Sequence, residues 1–148
     1  MKNVSTKGFT LLLAILITNI ILGISIGFPI FVIRELTISA IGRESQKAFF
    51  ASDSGIECVL FWDFKHQGLA KSAFATTSTS NISCAGASYT VGGSSGISDF
   101  DLNFANSACS HVKVDKTNYP NTKIDSVGHN TCDLTDPNRV ERSLQVSY

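Results

Sequence analysis

The stretch FTLLLAILITNIILGISIGFPIFVI, residues 9–33, determines how this chain is organised. Its 25 residues carry no charge, and 17 of them are Leu, Ile, Phe or Val. About 20 apolar residues in a helix cross the hydrocarbon layer of a bilayer. On an insertion scale these side chains contribute on the order of −8 kcal/mol, before Asn19, Pro29 and two glycines are subtracted. The stretch therefore predicts one transmembrane helix, and Pro29 is expected to loosen it locally because proline lacks an N–H.

The residues on either side of this stretch distinguish the kinds of segment it can be. A secretory signal peptide has an apolar core of about 7–15 residues followed by a small-residue cleavage site. This run is longer, and Arg34-Glu35 follows it directly. Lys2 and Lys7 precede it, which predicts a cytoplasmic N-terminus and an exported remainder, with Arg34 as a weaker opposing signal. A permanent single-span anchor explains the length equally well and stays open as an alternative.

The overall composition argues against nucleic acid as a partner. The chain has 148 residues with 12 basic and 12 acidic side chains, so its net charge is zero. A nucleic-acid-binding surface would instead need a basic excess on one face.

Four cysteines suit an oxidising, exported compartment. They do not form a CxxC motif, and their wide separation is unlike that of zinc ligands, so two disulfides are expected rather than a metal site. Of the three possible connectivities, we expect the sequential one, Cys58–Cys84 with Cys109–Cys132.

Residues 34–63 are predicted to continue the helix as an amphipathic segment. Apolar residues recur there at helical spacings between charged ones, which is typical of a helix with one buried face. Ala48, Ala51 and Gly55 form a row of small residues three and four positions apart. Such a row lets another element approach closely, either the protein's own sheet or, in addition, the helices of neighbouring molecules.

The C-terminal half of the chain is predicted to be a loop followed by a sheet. Residues 64–87 are polar and rich in Ser and Thr without periodicity, so we expect a connecting loop that a Cys58–Cys84 bridge would hold to the helix. From residue 88 to 148 the apolar period becomes two, as in antiparallel strands with one wet face. The predicted strands are Ser88–Val91, Ile97–Phe104, Cys109–Lys116, Lys123–Gly128 and a fifth that follows Asp136-Pro137-Asn138. The amphipathic helix is the obvious cover for the apolar face, which makes the fold class α+β.

Several patterns resemble catalytic or metal sites but have simpler explanations. GGSSG at residues 92–96 fits a nucleophile motif, but a strand follows it instead of a helix, so a hairpin turn is expected. Asp99, Asp101 and Asn103 lack the glycine and glutamate of a calcium loop and are explained by strand alternation. The three histidines, His66, His111 and His129, are expected at the surface or in turns, and Trp62 where the helix meets the sheet. We therefore predict no catalytic residue, no metal and no cofactor.

Lys7-Gly8-Phe9-Thr10, which directly abuts the apolar stretch, resembles the cleavage site of class III prepilins. The resemblance implies a leader of residues 1–8, cleavage by a prepilin peptidase after Gly8, and methylation of the new Phe9 amine. Most pilins carry Glu at the fifth mature position, where this chain has Leu13. That departure argues against a major pilin and is shared by some minor pilins and tip pseudopilins. Pro29 lies one place before the proline that many pilins carry.

The helix that follows is similar to the N-terminal domain of PilX-type minor pilins. AFFASDSG, residues 48–55, supplies the Ala, Phe, Ala, Asp and Gly of the pattern Ala-Phe/Tyr-x-Ala-Asp/Glu-x-Gly, with Ser52 as one additional residue before Asp53, and the resemblance covers about residues 7–63. It implies a pilin-like fold and a minor subunit of a type IV pilus or of a related secretion or competence filament, with roles in pilus assembly and adhesion. The implied partners are other pilin subunits through the N-terminal helix, the prepilin peptidase and the cytoplasmic or inner membrane, before an extracellular filament forms. The alternative is an uncleaved single-pass membrane protein with an exported binding domain.

Overall fold

The computed structural model describes residues 7–65, 72–118 and 120–148, and confirms the α+β class. One long helix packs on antiparallel sheet. The elements in chain order are α1 (Lys7–Lys65), β1 (Thr79–Cys84), β2 (Ala87–Gly92), β3 (Ile97–Asn103), β4 (Cys109–Asp115), β5 (Lys123–His129) and β6 (Glu141–Ser147). By its contacts the chain divides into a first unit that ends at Ile41 and a second unit, Gly42–Tyr148.

The two predicted helical segments, residues 9–33 and 34–63, belong to one helix of 59 residues. The helix continues through Pro29, the one proline inside it. The same helix therefore runs from the uncharged stretch into the part that packs on the sheet.

The strands form two sheets, whereas the sequence predicted one. β1 and β2 pair as a two-stranded antiparallel sheet, and β3-β4-β5-β6 form a four-stranded antiparallel meander in chain order. The GGSSG segment follows β2 and precedes β3, which belong to different sheets, so the prediction of a hairpin within one sheet is wrong. It is a turn between the sheets, closed by hydrogen bonds from Gly93 N to the Ala75 carbonyl and from Lys116 N to the Gly96 carbonyl.

The predicted loop over residues 64–87 is also corrected, because it contains β1. Ala85 and Gly86 connect β1 to β2 with positive φ angles of 50° and 80°, as in a two-residue type I′ hairpin turn. Such turns usually carry Asn-Gly or Asp-Gly, so Ala85 hides the hairpin signal. The helix end at Lys65 also enters the predicted loop, and residues 66–71, which include His66, lie outside the described chain.

The core lies between the second half of α1 and the sheets. In β3, Ser98, Phe100 and Leu102 point inward, while Asp99, Asp101 and Asn103 point outward, as strand alternation predicted. Phe100 connects the two sheets. The centroid of its ring lies 5.2 Å from that of Tyr89 and 6.4 Å from that of Phe74. The buried apolar cluster consists of Ile56, Val59, Ala73, Phe74, Ile82, Cys84, Val91, Phe100, Leu102, Val112, Val114 and Ile124.

Candidate functional site

The candidate site is the part of α1 that the sheet leaves uncovered. From Phe9 to Ile41 the large apolar side chains are exposed, Phe9 by 71% and Leu13 by 46%. The most apolar window of 18 residues has a mean hydropathy of 2.5 and no buried residue. By length and composition, this is one helix near the N-terminus able to cross a membrane. Its 25 uncharged residues rise about 37 Å along the axis, which exceeds a hydrocarbon layer of about 30 Å.

Two hydroxyl groups in the uncharged stretch are satisfied within the helix. Thr18 Oγ1 donates to the Ala14 carbonyl at 2.9 Å, and Ser25 Oγ donates to the Ile21 carbonyl at 2.8 Å. A helix in lipid must satisfy its own polar groups, because no water is present to do so. These two residues therefore add little cost to membrane insertion.

The residues predicted for processing and assembly divide between the two parts of α1. Lys7 and Gly8 are already helical, Phe9 is exposed, and Leu13 and Pro29 lie on the uncovered segment. The row of small residues, Ala48, Ala51 and Gly55, is buried against the protein's own sheet. Of the two predicted roles for that row, the structure supplies the first. The sheet covers these three residues, and their packing against neighbouring helices stays a prediction.

Gly55 and Gly128 let the helix backbone approach the sheet closely. A Cβ on Gly55 would come within 2.5 Å of Ser126 Oγ and 2.7 Å of Val112 Cγ2. A Cβ on Gly128, in β5, would collide with the Ala48 carbonyl oxygen and the Ser52 amide nitrogen. Gly128 could not be predicted from the sequence, since a lone glycine near the end of a strand has no distinctive pattern.

This approach is close enough for a buried hydroxyl network. Ser52 Oγ donates to the Ser126 carbonyl, and Ser126 Oγ donates to the Ser52 carbonyl, both at 2.7 Å. Because the one proton of Ser126 is used, Ser110 is the donor in its 2.8 Å contact with Ser126 Oγ. All three serines are buried, so each of these bonds prevents the cost of an unpaired polar group.

The amino-terminal side of this contact is held by Asn130, a second residue that the sequence analysis missed. Asn130 Nδ2 donates to Glu44 Oε2 at 2.9 Å and to the Asn138 carbonyl at 3.1 Å, and Asn130 Oδ1 accepts from Val140 N at 2.7 Å. The Asn130 bond, followed by that from Lys47, lowers the pKa of the Glu44 carboxyl group. One amide thus joins the helix to the segment between β5 and β6.

The carboxyl-terminal side is held by what we name the Asp63 cluster: Asp63, Ser72, Lys116 and Tyr148. Asp63 is 1% exposed, and Lys116 Nζ lies 2.7 and 2.8 Å from its two oxygens. Ser72 and Tyr148 donate their hydroxyl protons to the same carboxylate. Burial alone would raise the pKa of Asp63, but the hydrogen bonds from Lys116, Ser72 and Tyr148 outweigh it and lower that pKa. Burial and the adjacent Asp63 carboxylate raise the pKa of Tyr148.

The four cysteines take two different states. Cys58 on α1 and Cys84 at the end of β1 form a disulfide with Cα atoms 6.1 Å apart, the first of the two predicted pairs. Cys109 and Cys132 are free thiols, so the predicted second disulfide is not present in this structure. The Cys132 amide donates to the Ser107 carbonyl at 3.0 Å, and the Cys132 thiol donates to Asn103 Oδ1 at 3.5 Å. Cys132 is also a hydrogen-bond partner of the Cys109 thiol. Burial, together with the contact to Cys132, raises the pKa of Cys109 to about 12.

The histidines and Trp62 show where side-chain environment was predictable. His111 is exposed and pairs with Asp99 and Asp101 at 3.1 and 2.7 Å, in line with its predicted surface position. His129 is buried at the end of β5 and contacts Glu141 at 3.0 Å, so its prediction as a surface or turn residue is wrong. Trp62 packs on the core and donates to the Ser83 carbonyl at 3.1 Å, which places it at the helix–sheet contact as predicted.

No group of three or more His, Cys, Asp or Glu side chains suited to a metal ion occurs among the described residues. Comparison of the chain with protein-family models, with curated proteins and with solved structures found no match.

Replacing Gly128 with alanine is expected to destabilise the second unit by about 3 kcal/mol, because the added Cβ overlaps backbone atoms of the helix. Gly42→Ala is the matched control. A Cβ at Gly42 meets nothing within 4 Å, so this change should stabilise the helix by about 0.5–1 kcal/mol. Urea unfolding of the full chain in detergent, followed by fluorescence of the single tryptophan Trp62, measures both. Equal unfolding midpoints for Gly128→Ala and the parent would contradict the close approach.

Asp63→Asn is expected to cost about 3 kcal/mol near neutral pH, because it leaves the buried Lys116 ammonium without its carboxylate. The folded-state pKa of Asp63 is lowered, so its stabilisation is present above its unfolded pKa of about 3.9 and is lost as pH falls through the folded value. The difference between parent and Asp63→Asn should therefore be full above about pH 5 and shrink below about pH 4.

Asp53→Asn removes a carboxylate from the same helix, outside the Asp63 cluster, and serves as the control for charge. Its effect on the free energy of unfolding should stay within about 0.5 kcal/mol at pH 3 and at pH 7. A parent–Asp63→Asn difference that is the same at pH 3 and pH 7 would refute the ionised pair.

Proposed function

We propose that this chain is a pilin-like subunit, a minor pilin or pseudopilin, whose helix first anchors the precursor in a membrane and then packs with the helices of other subunits. The observation that carries this proposal is the division of one helix between two surroundings. The large apolar side chains of residues 9–41 are exposed, and residues 9–33 carry no charge, while the following part has one face buried against its own sheet.

Uncovered apolar surface of this extent requires an apolar surrounding. Each Å² of apolar surface left in water costs about 25 cal/mol, and most side chains from Phe9 to Ile33 are large and exposed. Lipid can provide the cover for a precursor, and neighbouring apolar helices can provide it in a filament. A pilin-like subunit uses both in turn, which is why this class fits the arrangement.

Two features of the helix refine the proposal. Lys7-Gly8-Phe9 supplies a peptidase site directly before the uncovered segment, with processing after Gly8 and methylation of Phe9. Leu13 supplies an apolar side chain where most pilins carry Glu, and this favours a minor subunit over one that builds the filament shaft through that ion pair. In this role the chain acts by assembly and has no catalytic residue.

The proposed orientation places the N-terminus in the cytoplasm and the second unit outside. Lys2 and Lys7 favour that orientation by their charge. The Cys58–Cys84 disulfide fits an exported unit, because disulfides persist mainly in oxidising compartments. The proposed partners are the prepilin peptidase and other pilin subunits, and the assembled filament would be extracellular.

The mature N-terminus tests this function. The full chain is produced with and without a prepilin peptidase, and its terminus is determined by mass spectrometry. We expect a chain that begins at N-methylated Phe9 when the peptidase is present and at the precursor terminus when it is absent. Gly8→Val should block cleavage, whereas Gly42→Val, a change at a helical glycine outside the site, should leave it intact.

A precursor terminus in both strains would contradict the proposal. The apolar segment would then be a permanent anchor, and the chain an uncleaved single-pass membrane protein with an exported binding domain.

A further inference from the structure

Asn19 differs from every other side chain of the uncharged stretch, because it is the one amide among residues 9–33. Thr18 and Ser25 bond carbonyl groups of their own helix. Among the residues that the structure describes, the Asn19 side chain has no hydrogen-bond partner, and it is exposed two residues from the middle of the stretch. It lines a groove of about 470 Å³ together with Leu12, Ile15, Leu16 and Ile20.

We propose that Asn19 marks a face through which two copies of this chain associate side by side in the membrane before any filament forms. The inference rests on the membrane placement in the proposed function. In lipid an unpaired amide is costly, and Asn side chains relieve that cost by hydrogen bonding across helices.

The chemistry of the stretch identifies the occupant as a second copy. Copies inserted in the same orientation are parallel, so residue 19 of each lies at the same depth in the bilayer. An amide carries both a donor and an acceptor, and two amides facing each other across a two-fold axis satisfy one another. Residues 9–33 contain no charged group, so the stretch offers nothing to pair with an acidic or basic helix.

The surroundings of Asn19 suit a close helix pair. At 3.6 residues per turn, Leu12, Leu16, Asn19 and Gly23 lie within about 60° of one another around the helix axis. A Cβ at Gly23 would meet nothing within 4 Å, so the surface there is open to another backbone. Leu12 and Leu16 provide apolar contact on one side of the amide, and a single buried Asn in such a face fixes the register of the pair.

Sedimentation equilibrium of the unprocessed full chain in density-matched detergent tests the proposal. The parent should show a reversible monomer–dimer equilibrium. Asn19→Val should weaken dimerisation about 3- to 30-fold, the range for one hydrogen bond between helices in an apolar medium. Asn19→Gln, which keeps the amide, should retain most of the association.

Ser25→Ala is the matched control, since Ser25 lies about 120° away around the helix and bonds its own backbone. This variant should dimerise like the parent. A parent that stays monomeric at every concentration would overturn the proposal, and so would an Asn19→Val chain that dimerises as tightly as the parent. Because the precursor is used, the result is independent of cleavage after Gly8. Loss of cleavage with dimerisation intact would remove the proposed function and leave the association face.

Discussion

The second unit depends on the hydrogen bonds and the ion pair of Asp63. Its buried carboxylate accepts hydrogen bonds from Ser72, which follows the helix, from Lys116, at the end of β4, and from Tyr148, after β6. One charge thus joins the helix end to three segments that are far apart in the chain. A carboxylate this deeply buried is tolerated because each of its oxygens has at least two donors, one of them a cation. Removing any one of these donors would leave the buried Asp63 carboxylate incompletely paired.

The Asp63 cluster also belongs to a set of contacts that fix the covered part of α1 to the sheet. Asp63 and the Glu44–Asn130 contact hold the two ends of the covered part, and Gly55 and Gly128 hold its middle against the sheet. From Phe9 to Ile33, by contrast, the large apolar side chains are exposed. In the proposed function, these exposed side chains are the ones that face lipid or the helices of other subunits. The residues that fix α1 to the sheet and the residues proposed for assembly therefore lie in different stretches of the helix.

Local patterns in the sequence were sufficient for the helix and for most strands. An uncharged run of 25 residues and the strict alternation of Asp99, Phe100, Asp101 and Leu102 have few competing explanations. β1 was not predicted because Ala85 occupies a turn position where Asn or Asp would have indicated a hairpin. The contacts of Asp63 with Lys116 and of Gly128 with the helix were missed for a different reason: these partners lie tens of residues away, and nothing local marks them. Cys109 and Cys132 were predicted as a pair and do lie close together, but both are free thiols in this structure.

The central claim is that the uncovered part of α1 lies in a membrane while the covered part lies outside it. Labelling of single cysteines with a membrane-impermeant maleimide in spheroplasts tests it, in a full chain with Cys109→Ser and Cys132→Ser. Cysteines introduced as Ile17→Cys or Ile24→Cys should stay unlabelled until detergent dissolves the membrane, and Lys47→Cys should react from outside at once. Labelling of residue 17 or 24 in intact membranes, or protection of residue 47 from outside, would contradict the account.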